Sequence, residues 1–223
     1  MRSLLAVLTF SVVASASTFT FQTPTGSTTG GQAVSATASV TTNANGTVTV
    51  VLNDNLASTL DAAQLLSDFF FNLSVTPTTV LTGTTVPTIA SLINISSTGV
   101  VTSSATALAG WGLSSSGATV HLDSLVGGGS QTIIGPGPYT AANGSIDGNA
   151  GHNPFINQTA TFNFAVGGVN AGTTVSGAVF SFGTVSGNNV TGIPSIPEPI
   201  TSGLVGTGLI SLFFLRRRST RKA

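Results

Sequence analysis

Small apolar side chains alternate with hydroxyls from Val34 to Val40, and Val48, Val50 and Leu52 repeat the same two-residue period. This alternation turns one face of a strand inward and leaves the other wet. Asn43-Ala44-Asn45-Gly46 lies between the runs and tolerates positive φ, which predicts a hairpin. Thr18-Phe19-Thr20-Phe21 reads as an earlier strand, followed by a loop from Pro24 to Gly31. Ser58-Thr59-Leu60-Asp61 reads as a helix start, with Ser58 as cap and the helix ending near Ser67. Asp68 to Val75 is the next expected strand and holds the aromatic run Phe69-Phe70-Phe71.

Beyond Pro77 the pattern loosens, with strands expected at Ile89 to Ile95 and Gly99 to Thr102. From Ala118 to Asp123 it is clear again: Ala118, Val120 and Leu122 face inward, and His121 and Asp123 share the other face. A short strand at Gln131 to Ile134 precedes a Gly- and Asn-rich loop, Asn143 to Pro154. Thr159 to Val166 and Thr173 to Gly183 follow, the second with a bulge expected at Gly177. About eight to ten short strands between turn signals predict a mainly all-β fold. The expected architecture is an antiparallel β-sandwich, jelly-roll-like, with one short helix and a C-terminal transmembrane helix.

The two ends differ from this body. Met1-Arg2-Ser3, the apolar run Leu4 to Val13 and the small-x-small pair Ala14 and Ala16 have the order of a signal peptide, with cleavage expected after Ala16. At the other end Pro197-Glu198-Pro199 precedes sixteen uncharged residues, Ile200 to Leu215, and then the basic residues Arg216, Arg217, Arg218, Arg221 and Lys222. Sixteen helical residues span ~24 Å, short of a ~30 Å hydrocarbon core. The basic cluster belongs on the cytoplasmic side, which puts Pro197-Glu198-Pro199 at the outer interface, extended by its prolines. The expected divisions are residues 1–16, a β domain over 17–193 and a C-terminal segment over 194–223, with the membrane run at 200–215 and the basic tail at 216–222.

All six Lys and Arg residues lie in these end segments. Residues 17–196 carry only Asp54, Asp61, Asp68, Asp123 and Asp147, a formal charge of −5. Such a body has no means of neutralising phosphates, which argues against nucleic acid as a partner, and it forms no Lys or Arg salt bridge. The chain has no cysteine, which excludes disulfides and thiol chemistry.

The three-part tail resembles the PEP-CTERM sorting signal of exported bacterial proteins. Five internal runs, Gly46 to Val50, Gln64 to Asp68, Asn143 to Ile146, Gly151 to Phe155 and Phe180 to Thr184, are similar to segments of short proteins carrying that signal. The resemblance implies passage through the Sec translocon, signal peptidase cleavage and transient anchoring in the inner membrane. It further implies processing by exosortase at or near Pro197-Glu198-Pro199, and a final place on the cell surface or in the extracellular matrix of a Gram-negative bacterium. Association with exopolysaccharide and biofilm is implied by the family alone.

The body shows no catalytic pattern, and a non-enzymatic protein without cofactor is expected. Only His121 and His152 are available as histidine bases, and Gly-x-Ser-x-Gly is absent, which counts against a secreted hydrolase. His121 and Asp123 read as a solvated polar face. Zinc at His121 and His152 would need two more ligands. Asp147 and Asn149 alternate as oxygen ligands of a calcium loop do, although the loop lacks the closing Glu of an EF-hand and Asp, Asn and Gly are common turn residues. Trp111 and Tyr139 raise carbohydrate stacking, against which core packing is weighed. The alternative to a structural role is therefore a carbohydrate- or calcium-binding, adhesin-like β-sandwich.

Overall fold

The computed structural model describes residues 16–126, 131–148 and 151–195. Its strands, in chain order, are β1 Ala16–Gln22, β2 Thr28–Thr29, β3 Gln32–Ala33, β4 Ala36–Asn43, β5 Thr47–Asp54, β6 Leu66–Leu73, β7 Thr84–Thr85, β8 Leu92–Ile95 and β9 Val101–Ser103. The remainder are β10 Trp111–Ser116, β11 Thr119–Asp123, β12 Ile133–Ile134, β13 Phe155–Asn157, β14 Thr159–Ala165, β15 Val175–Phe182, β16 Asn189–Thr191 and β17 Ile193–Pro194.

The strict alternation of the first half becomes the first sheet, ordered β14-β5-β4-β1-β17 and antiparallel throughout. Ala36, Ala38 and Val40 of β4 and Val48, Val50 and Leu52 of β5 are buried, while the intervening positions are half-buried. The expected hairpin is present: Gly46 takes φ +79° and its N–H donates to the Asn43 carbonyl at 3.1 Å. This tight local turn makes β4 and β5 neighbours, and β1 pairs with the other side of β4 after the β2–β3 hairpin. The three strands β1, β4 and β5 meander, which departs from the interleaved, jelly-roll-like order expected.

Hydroxyls and amides knit the outer face of this sheet. Thr18 and Thr41 are 2.8 Å apart, Thr49 donates to Asn163 at 2.6 Å, and Thr159 donates to Asn53 at 2.6 Å. Cross-strand pairs of this kind contribute roughly 0.2–1 kcal/mol each. They take the place that ion pairs occupy on a more highly charged sheet.

The second sheet runs β7-β10-β11-β6-β12-β13-β8-β9, with β15 joined to β6 and β16 to β15. Its pairs are antiparallel except β12 with β13. One apolar core draws on both sheets, with Phe21, Val50, Leu52 and Phe162 from the first and Phe69, Phe71, Leu122, Phe180 and Phe182 from the second. A smaller cluster joins Leu65, Ile93, Ile95, Ile134, Tyr139, Ile146 and Phe155.

The helix expected from Ser58 is a three-residue 3-10 turn, Ala62–Gln64. Asp61 is its cap, accepting the Ala63 N–H at 2.7 Å, while the Gln64 side chain accepts the Asp61 N–H at 3.1 Å. Ser58 instead takes φ +58°. Leu65 and Leu66 are fully buried, and the chain returns to extended backbone at Leu65 to place them, which ends the turn. Of the features expected at the two ends, Ala14 of the signal peptide, Pro197-Glu198-Pro199, the transmembrane helix over 200–215 and the basic tail over 216–222 lie outside the described residues. Ala16 opens β1 opposite Asn43. Among the described residues no helix is long and apolar enough to cross a membrane.

Candidate functional site

The run Phe69-Phe70-Phe71 sits on β6, whose side chains alternate between the two faces of the sheet. Phe69 and Phe71 are fully buried in the core, which turns Asp68, Phe70 and Asn72 to the opposite face. On β11 the burial of Val120 and Leu122 does the same for His121 and Asp123. The register then decides which outward residues meet: Asp123 lies opposite Asp68, and His121 opposite Phe70. On the far side of β6, Ser181 of β15 faces Asp68.

The chain leaving β11 runs on beside the pair. Ser124 N–H donates to the Ser67 carbonyl at 3.0 Å, and Leu125 N–H donates to Asp123 Oδ1 at 2.6 Å. Val126 reaches back over Gly112, where a Cβ would strike it at 2.9 Å. Asp68 is left only 2% exposed. The His121 ring stacks on Phe70 with centroids 3.7 Å apart and planes 9° apart, which fixes the imidazole plane. Asp68 Oδ1 and His121 Nε2 are both buried and have no hydrogen-bond partner among the described residues. Asp68, His121 and Asp123 each offer one ligand atom, and these atoms all lie within 4.8 Å of one another.

Burial pushes the Asp68 carboxyl up to about 8, and the hydrogen bond and charge of Asp123 add to the rise. The Ser124 backbone pulls weakly the other way. Burial lowers His121, against the opposing charge of Asp123. Residues 17–196 contain no Lys or Arg, so the balancing positive charge is a proton or a cation from solution. Like charges set directly opposite across a strand pair are destabilising, which makes this demand a specific one.

The chain matches no family model, no curated protein and no solved structure. The residues themselves must therefore carry the reading.

Other sequence candidates fall elsewhere. Asp147 Oδ1 accepts the Gly99 N–H at 3.4 Å, and Asn149 lies outside the described residues. His152 Nδ1 lies 2.7 Å from the Ser145 carbonyl oxygen. The Ser145 hydroxyl donates to Asn143 Oδ1 at 2.5 Å and accepts the Ala62 N–H at 2.8 Å, so it serves the turn and not the imidazole. Trp111 and Tyr139 are 1% and 2% exposed, so neither ring offers a face to a sugar. Trp111 Nε1–H donates to the Gln131 carbonyl at 3.3 Å, and the Tyr139 hydroxyl to that of Gly135 at 2.5 Å.

The sequence placed His121 and Asp123 on one face but did not reveal Asp68 as the third member. The missing information was the β6–β11 register, a long-range property. Two signals pointed toward it: an Asp at the head of an aromatic strand, and a body without any cation to pair with it.

Proposed function

We propose that the protein is an exported, non-enzymatic cell-surface or extracellular-matrix protein, sorted by exosortase through its PEP-CTERM-like tail. The observation that carries this reading is the order of parts in the last thirty residues: Pro197-Glu198-Pro199, the uncharged run Ile200 to Leu215, and five basic residues from Arg216 to Lys222. The body is read as a β-sandwich built from the two sheets that share a core. Its pairing supports the division of the chain. β17 pairs with β1 through Phe21–Pro194 and Gln22–Ile193, and Ser195 N–H donates to the Thr20 carbonyl at 2.8 Å. Among the described residues these bonds reach only to Ser195, ahead of Pro197-Glu198-Pro199, so removal of the tail beyond Pro199 deletes none of them.

The hydroxyl- and amide-rich outer face of the first sheet suits a hydrated polysaccharide environment and supports the exopolysaccharide association. Replacing Pro197, Glu198 and Pro199 together with Ala tests the sorting role in the native host. The variant is expected to remain in the membrane fraction and retain Arg216 to Ala223, while the unmodified protein loses them. Equal loss of the tail from both would contradict the reading.

A further inference from the structure

We infer that Asp68, His121 and Asp123 form a binding site for a first-row divalent cation of the zinc class, held between β6 and β11 beside Ser124 and Leu125. The inference is independent of the sorting role and rests on three features. The first is geometry: an imidazole nitrogen and two carboxylate oxygens converge within 4.8 Å. Ligands on a tetrahedral zinc at ~2.0–2.1 Å are about 3.3 Å apart, so closing on an ion asks for shifts of at most about 1.5 Å. The second is the polar atom left without a partner. Asp68 is 2% exposed, and its Oδ1 meets no donor among the described residues. His121 Nε2 is equally unpaired, while stacking on Phe70 fixes its ring. Buried polar atoms normally have partners, and two orphans in one cluster mark a place where a further group belongs.

The third feature is charge. Two opposed carboxylates in a body free of Lys and Arg are neutralised together by one divalent cation. Mixed nitrogen and oxygen donors select the ion. Calcium takes six to eight oxygen ligands, whereas zinc accepts His and Asp together in a four-coordinate shell. Manganese is the next first-row candidate, given two carboxylates. Three protein ligands leave the fourth position to water. Asp123 is suited to its part because Leu125 N–H already fixes one of its oxygens.

The test uses the untagged full chain in mild detergent, stripped with EDTA and dialysed. Melting is followed with Zn²⁺, Mn²⁺, Ca²⁺ or Mg²⁺ added singly. Zn²⁺ at a hundredfold its dissociation constant is expected to raise the Tm by about 5–10 °C, with Mn²⁺ weaker and Ca²⁺ without effect. The double variant Asp68→Asn/His121→Gln should lose that rise. Since the chain has only two histidines, the unmodified protein gives a second readout that needs no variant. In a nitrogen-labelled imidazole spectrum, Zn²⁺ should shift His121 and leave His152 in place. Absence of a rise with both Zn²⁺ and Mn²⁺ would overturn the inference, as would a rise with Ca²⁺ alone. A rise retained in the double variant, or a spectrum in which only His152 moves, would also do so.

Discussion

Asp68 holds a carboxyl at 2% exposure opposite a second carboxyl, with the half-buried His121 as the nearby titratable base. Its folded value of about 8 lies above the ordinary carboxylate range near 3.9, so between these limits the folded chain keeps a proton that the unfolded chain sheds. The stabilisation linked to that proton is complete below about pH 4 and is lost as pH rises through 8. Buried Asp54, also raised, acts in the same direction, whereas His121, lowered by burial, removes stability as pH falls through about 6.5. We therefore predict that the metal-free protein loses urea resistance between pH 5 and pH 8, and that Asp68→Asn loses less over the same interval. Equal losses in the two proteins would show that Asp68 does not bind its proton more tightly when folded.

The β6 strand joins three partners, β11, β12 and β15, and its junction with β15 carries two register shifts, one on each side of the Val179–Ser181 pairs. Between Ser176–Asn72 and Val179–Phe70 the register gains a residue, the bulge expected at Gly177. Gly177 takes φ +61°, and a Cβ there would strike the amide of Asn72, which Thr119 already holds by a 2.7 Å hydrogen bond. Gly177→Ala is predicted to cost about 1–3 kcal/mol, read as a lower denaturation midpoint; an unchanged midpoint would contradict this account of the bulge. Phe180→Ala, which removes a fully buried ring 5.1 Å from Phe69, is predicted to cost about 3–5 kcal/mol in the same measurement. Most of these strands were legible because alternation is local: Val48, Val50, Leu52, Phe162 and Phe164 announce their buried face residue by residue. The 3-10 turn was misread because Ser58 and Asp61 both resemble caps, and only the demand of Leu65 and Leu66 for the core chooses between them. Trp111–Ser116 was missed as a strand because serines occupy its second half. The site was only half legible, since His121 and Asp123 share a strand while Asp68 arrives through register.

At the scale of the whole molecule, the body is folded without internal Lys or Arg, and its first and last described strands, β1 and β17, lie side by side, with β17 at the sheet edge. Cleavage after Ala16 removes one residue of β1, the partner of Asn43, and leaves the pairs from Ser17 onward. Loss of both end segments thus leaves the pairing of β1 with β4 from Ser17 onward and of β1 with β17 in place, as the proposed export and processing require. The intact mass of the mature protein from its native host, with C-terminal peptide mapping, set beside a strain lacking exosortase, tests this most directly. The expected product begins at Ser17 and ends near Glu198 or Pro199 only where exosortase is present. A product that retains Arg216 to Ala223 in both strains would contradict it.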